Sequence, residues 1–415
     1  MIQPSSPPPE TRPPVFPTVM TEWLLLLLPL AAASGWWAAQ RSLQRASTGG
    51  APDPAYFRGL NYLLDDQPDK AIDVFVKLAE MDSETAEVQL ALGGLFRRRG
   101  EVDRAIRVHQ GLMARQDLAK ALRALALQEL ALDYMRAGLL DRAERLFEEL
   151  TQFRDHRRRA LLSLVDIYQQ EKDWRRCLET ADRLQSFLGE SMGVEMAHYH
   201  CELAEEALRL GDDEGAAASL RAALGADAGC VRATLLLARL ALDRGEPDRA
   251  IHLFQRVGDQ GPRFLPEILP GLLEAFRGRP PSDLLETLRA LYRAHPNGAL
   301  LLALADVVER IEGRQPAIRL LVEYVSSRAD LAAVERLLEL REMPLAAEGA
   351  EALEMLRALS RVARQLRSRQ PRYQCDHCGY AARRLHWQCP GCKRWATILP
   401  VEAPRLAEGP EREST

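Results

Sequence analysis

Aromatic residues are few in this chain, at 6% of 415 positions, and Leu, Ala, Arg and Glu take their place. That mix favours helices over sheets. Charge of one sign is missing too, since the net charge is only −4. A chain without a basic excess has no global attraction for nucleic acid. No glycine-rich phosphate loop, no H-E-x-x-H helix and no nucleophile elbow occurs. Their absence removes common routes to phosphoryl transfer, zinc proteolysis and serine hydrolysis, and the chain reads as a non-enzyme. A disulfide framework is also lacking. Cys177, Cys201 and Cys230 lie apart in apolar helical stretches and read as buried free thiols.

One uncharged apolar run is present, the 17 residues from Trp23 to Ala39. This is near the lower limit for a spanning helix. Trp23 stands at one end and Trp36 and Trp37 at the other, where indoles favour membrane interfaces. Arg41 and Arg45 follow it directly, while Glu22 precedes it. A signal peptide needs its basic residues before the run. The expectation is a single-pass anchor over residues 20–45, with the bulk of the chain on the cytoplasmic side. Residues 1–19 are proline-rich and read as a disordered extension, with Met20 the expected start.

Between residues 52 and 345 the sequence repeats itself. Gly59, Tyr62, Ala71, Phe75 and Leu78 recur 34 residues later as Gly93, Phe96, Ala105, His109 and Leu112. The unit returns around Ala143, Cys177, Ala216, Ala250, Leu284 and Ala317, the later copies degraded. Two steps, Ala105 to Ala143 and Cys177 to Ala216, are longer and add about one helical turn. Gly100, Gly138, Gly211 and Gly245 punctuate the pairs, each followed closely by an acid. Glycine is expected to end one helix in a left-handed turn and the acid to cap the next. A helix–turn–helix unit of 34 residues is the tetratricopeptide pattern, with about eight units here. One unit cannot bury its apolar face, so units stack into a solenoid that offers a surface to other proteins. His198, His200 and Cys201 cluster in sequence, but no second ligand group lies nearby, and they read as packing residues.

The most specific feature comes near the end. Cys375 and Cys378 form one C-x-x-C pair, Cys389 and Cys392 a second, with ten residues between. Two such turns bring four thiolates together for Zn²⁺ or Fe. Gly379 and Gly391 are expected to supply the tight turns whose N–H groups face sulfur. A module this short lacks a core of its own, so its metal is structural first. Four thiolates that must stay reduced suit a reducing compartment. Before the module, residues 346–370 read as a linking helix that ends basic at Arg361, Arg364, Arg367 and Arg369. Those arginines suit a helix C-terminus, or a docking patch for an acidic partner or anionic lipid. Arg383, Arg384, Lys393 and Arg394 leave a minor reading of nucleic-acid contact, though none is expected. The metal module spans 371–400, and 401–415 reads as a disordered tail.

This order of parts resembles the lipopolysaccharide assembly protein B family across roughly residues 20–400. The resemblance rests on Leu-Leu-Leu-Leu-Leu-Pro-Leu-Ala-Ala-Ala-Ser-Gly-Trp, on Gly-Glu-Val-Asp-Arg-Ala-Ile-Arg-Val-His-Gln, and on the two cysteine stretches. It implies an all-α fold: a tetratricopeptide-repeat superhelical solenoid with an N-terminal transmembrane helix and a small C-terminal rubredoxin-like four-cysteine metal knuckle. Cys375, Cys378, Cys389 and Cys392 match the family's ligands, with iron favoured and zinc the alternative. Residues 1–19 and the tail past Pro400 have no counterpart in the family. The implied role is a regulator at the inner membrane. Its partners would be a membrane-bound AAA+ zinc protease, the lipid A pathway deacetylase that the protease degrades, and other lipopolysaccharide-synthesis proteins. A general assembly chaperone, and a rubredoxin-type electron carrier, stay open beside it.

Overall fold

Small residues at fixed places let helix pairs close, and the fold is built from that closure. The computed structural model describes residues 36, 54–65, 67–81, 86–189, 191–345 and 350–403. The expected anchor over 20–45, Trp36 apart, lies outside the described residues, as do the extension 1–19 and the tail from 404. Among the described residues no helix is long and apolar enough to cross a membrane. The chain divides into two compact units, residues 1–143 and 144–415.

In the first unit the helices are α1 (Pro54–Leu64), α2 (Pro68–Met81), α3 (Ala86–Arg99), α4 (Val102–Met113) and α5 (Lys120–Arg136), with α6 (Leu140–Leu150) beginning at its end. Ala71, Phe75, Leu92, Phe96 and Ala105 form its core. A Cβ on Gly59 would sit 2.7 Å from the Phe75 ring, so only glycine allows this approach of α1 and α2. One repeat later His109 takes the place of Phe75 beneath Gly93. A buried imidazole needs a polar partner. His109 Nδ1 lies 2.5 Å from Asp133 Oδ2, and Arg97 donates to Asp133 Oδ1 at 2.7 Å.

In the second unit the pairs continue through α7 (Arg154–Glu171), α8 (Trp174–Leu188), α9 (Gly193–Arg209), α10 (Asp213–Ala226), α11 (Val231–Asp243) and α12 (Pro247–Gln260). A 3-10 turn (Pro262–Phe264) leads into α13 (Leu265–Ala275). Then come α14 (Pro281–Ala294), α15 (Gly298–Glu312), α16 (Arg314–Val325), α17 (Leu331–Leu345) and α18 (Ala350–Arg369). The recurring small positions, including Cys177, Ala216, Ala250 and Ala317, are fully buried. α5 and α9, which lie within the two long steps, have 17 residues each, but α7 has 18 within an ordinary step, so helix length alone does not absorb the extra residues.

Gly100, Gly138, Gly211 and Gly245 all adopt positive φ, as expected. The acid caps divide by side-chain length. Asp212 accepts from Gly215 N and caps α10. Glu101 and Glu246 make no cap bond; each turns to an arginine three residues on, Arg104 and Arg249. The longer glutamate overshoots the N–H that aspartate reaches.

After α18 the chain forms a three-stranded antiparallel sheet, which the helical expectation had not included. β1 (Tyr373–Cys375) lies between β2 (Ala381–Ala382) and β3 (Ile398–Pro400). Tyr373 pairs with Ala382 and with Pro400, and Cys375 with Ile398.

Candidate metal centre

Two hairpin turns with the same hydrogen bonds present the four cysteines. In the first, Cys375 N donates to Tyr380 O and Gly379 N to Cys375 O. In the second, Cys389 N donates to Arg394 O and Lys393 N to Cys389 O. The residue after each pair is left-handed, Gly379 at φ 76° and Lys393 at φ 61°. Gly391, expected to make the second turn, does not have positive φ. A Cβ there would stand 3.4 Å from Cys378 Sγ, an ordinary contact distance, so space does not demand glycine at this position either.

The four sulfurs lie within 4.8 Å of one another. Cys375 and Cys392 are 3.8 Å apart, Cys378 and Cys389 3.6 Å. Metal–sulfur bonds near 2.3 Å in a tetrahedron require sulfur–sulfur edges of about 3.8 Å, so the residues fit one Zn²⁺ or Fe ion. Burial disfavours the Cys375 thiolate. The Thr397 hydroxyl, 3.3 Å away, and the backbone N–H groups of Cys378 and His377 outweigh it and hold that thiol down to about 6. At Cys378 the Tyr380 N–H favours the thiolate. Desolvation and the three neighbouring sulfurs prevail and push it up to about 12. Four thiolates therefore need a cation among them, and the ion, when bound, supplies that charge and ties the two turns together. Among the described residues this is the one cluster of potential metal ligands with such geometry.

The module is seated on the repeats of its own unit. Trp395 is buried and stacks on His198 at 5.0 Å, with edge contacts to Trp174 at 6.2 Å and Tyr199 at 5.9 Å. Trp395 Nε1 and Gln388 Nε2 both donate to Gln169 Oε1 at 2.9 Å. Trp387 stacks on Phe264 at 5.6 Å. Tyr373 donates to Glu267 at 2.6 Å, and Arg263 donates to Pro400 O at 2.9 Å. The seat thus draws on α7, α8, α9, the 3-10 turn and α13.

His198 and Cys201 are packing residues, as their sequence context suggests. The packing partner of His198 is the metal module itself. Desolvation and the nearby Arg232 push the His198 imidazole down to about 3, so it is a neutral ring against Trp395. Arg232 is itself buried and paired with Glu202 and Glu205. Cys201 lies 3.9 Å from Cys230, both as free thiols. Lys393 and Arg394 serve the second turn through their backbones.

Sequence reading missed Trp174, Trp387, Trp395 and Gln169. A signal existed. Of six tryptophans, three belong to the N-terminal run, and two of the others fall in a module too small to bury them. Such rings need a surface elsewhere in the chain.

Comparison with known proteins bears on both parts. Residues 373–400 match the family described as rubredoxin metal binding domain. Residues 90–122 and 201–263 match tetratricopeptide repeat families. The chain is 37% identical over 388 residues to lipopolysaccharide assembly protein B of Escherichia coli K12, covering 92% of this chain and 98% of that protein. Identity to the protein of the same name from Haemophilus influenzae is 33% over 399 residues, with the same coverage. A solved tetratricopeptide-repeat protein of Cytophaga hutchinsonii covers 64% of this chain and 98% of that one. Its 11% identity and TM-score of 0.36 make a likeness too loose to add to the reading.

Proposed function

The chain belongs to the lipopolysaccharide assembly protein B family, and from that membership we propose that it is a non-enzymatic scaffold of lipopolysaccharide assembly. The carrying observation is likeness over 92% of the chain, from the repeats through the metal module. Residues 20–45 anchor it in the inner membrane as a single span, with the repeats in the cytoplasm. There it acts as an adaptor. It holds the deacetylase that commits precursor to lipid A against a membrane-bound AAA+ zinc protease, and so limits the deacetylase level. Anchoring raises the effective concentration of the repeats near other membrane proteins. The metal, iron or zinc on Cys375, Cys378, Cys389 and Cys392, is structural. The seat supports this, because Trp387 and Trp395 spend the module's aromatic surface on the repeats rather than on a redox partner.

The deciding measurement is the half-life of the deacetylase after translation is blocked. Loss of this protein should lengthen it, and so should charge reversal of exposed side chains on the first helices of the repeats in a folded, anchored variant. An unchanged half-life with defective lipopolysaccharide would remove the adaptor role and leave the scaffold. Stabilisation of many unrelated membrane proteins by the wild-type chain would favour the chaperone instead.

A further inference from the structure

Two of the three thiols outside the metal centre touch. Cys201 Sγ lies 3.9 Å from Cys230 Sγ. Both residues are buried in the core shared by α9, α10 and α11. Cys201 stands in the middle of α9, and Cys230 is the N-cap of α11, 29 positions on. Cys177 is buried as well but has no sulfur partner among the described residues. A single buried thiol is an inert small hydrophobe. Two in contact can share a bond. Disulfide sulfurs stand about 2.05 Å apart, so an approach of about 1.9 Å closes this pair. Cys230 has freedom for that movement. It precedes the first turn of α11 and follows an exposed turn at Ala228 and Gly229.

The two sulfurs are not equivalent. A helix N-terminus and a nearby cation both favour a thiolate. Cys230 stands before α11, and Arg232 follows two residues on. The hydrogen bond from Cys201 holds the Cys230 thiol below its ordinary value. Burial and Asp227 oppose it, and the Ala233 N–H and Arg232 add to it. Arg232 is itself paired with Glu202 and Glu205, so the bond from Cys201 is the larger influence. The same bond, together with burial, pushes Cys201 up. Cys230 is also nearer to solvent, 4% exposed against 0% for Cys201. A reactive thiol beside a resolving one is the arrangement of oxidation-sensitive cysteines.

We propose that Cys201 and Cys230 form a reversible redox pair whose oxidant is a hydroperoxide. The Cys230 thiolate attacks one peroxide oxygen, the O–O bond breaks, and Cys230 becomes a sulfenic acid. The departing hydroxide takes up the proton that Cys230 had given up. Cys201 then attacks the Cys230 sulfur, the S–OH bond breaks, and the hydroxyl leaves as water with the Cys201 proton. The two sulfurs together lose two electrons, and hydrogen peroxide becomes two waters. A dithiol restores both thiols by exchange. In a reducing compartment such a disulfide is transient. While it lasts, it ties α9 to α11 across α10. His198 and Tyr199 of α9 carry Trp395, so the tie also braces the floor of the module's seat.

The test uses the full, metal-loaded chain. It is treated with hydrogen peroxide, blocked with N-ethylmaleimide in denaturant and cut with trypsin. Peptide 184–209 should appear joined to peptide 222–232 of the same chain, and separate again with dithiothreitol. Cys177 should stay a blocked thiol. In Cys201→Ala, dimedone should capture a sulfenic acid at Cys230. In Cys230→Ala it should capture none at Cys201. Amide exchange over α10, residues 213–226, should slow about tenfold or more once the link forms. A map in which Cys201 and Cys230 both stay blocked overturns the inference, whatever the metal-centre cysteines do. So does a link that forms no faster in the folded chain than in urea. Dimedone on Cys201 rather than Cys230 overturns the assigned roles. Unchanged exchange over α10 in the linked chain overturns the tie. If either variant fails to fold, the wild-type map and its exchange decide alone.

Discussion

Replacing Trp395 by Ala should undock the metal module while leaving its ion in place. Trp395 is only 8% exposed, and its indole meets His198, Trp174 and Tyr199 and donates to Gln169. Removing a buried tryptophan costs about 3–5 kcal/mol. The aromatic contacts beyond simple burial make up roughly 0.5–1.5 kcal/mol for each pair. Gln169 keeps Gln388 as a donor, so no buried acceptor is left bare. The loss falls on docking rather than on the module, because the four cysteines and the β1–β3 pairing are untouched. The docked-to-undocked ratio should drop by about 10²-fold or more. Hydrogen exchange over residues 193–209 reads this directly, since the module covers His198 and Tyr199 there. The variant should exchange faster in that segment and at β1, while metal content and far-UV dichroism stay at the wild-type level. Unchanged exchange at 193–209 would refute the seat. Loss of metal together with docking would refute the separation of the two.

Two further outcomes follow from the same geometry. Cys389→Ser should release the ion and melt β1–β3, with a loss on the order of 10 kcal/mol of metal-linked folding, checked by elemental analysis and module dichroism; an ion retained at full stoichiometry would contradict the four-sulfur site. Docking should also weaken in acid, because His198 sits at about 3 in the folded chain against 6.5 when free. The undocked chain takes up the proton first, so this contribution is complete above pH 6.5 and drains as pH falls from there towards 3. His198→Phe should flatten that profile in the exchange of residues 193–209, and an identical profile would assign the acid sensitivity elsewhere.

The repeats could be read in advance because their information is local. A small residue every 34 positions, as at Ala71 and Ala105, states the helix contact and its period together. The cysteines could be read for the same reason: each pair is three residues apart and must turn back on itself. The finer chemistry of the turns was less visible. Lys393 adopts the left-handed conformation that composition assigns to glycine, and the bonds to Cys389 hold it there. That the module packs against the array could be expected, but the residues of the seat were not visible. Gln169 and Trp395 are separated by 226 positions, and nothing in the α7 sequence says that its glutamine faces an indole. Long-range pairings of this kind depend on how several helices add up, which no window of sequence contains.

That seat also changes how the array holds together. Stacked repeats feel only their neighbours, so an ordinary solenoid can fray from an end or open at a weak pair without alarming the rest. Here the module touches α7 and α13 at once, through Gln169 and Glu267. The repeats between them are spanned by a clasp as well as stacked, and opening any of them strains it. Their melting should be one cooperative event where a plain array would unzip. The clasp also leaves the ribosome after the repeats that it spans. It can close only on repeats that are already in place, so closure reports that the middle of the array has been correctly built.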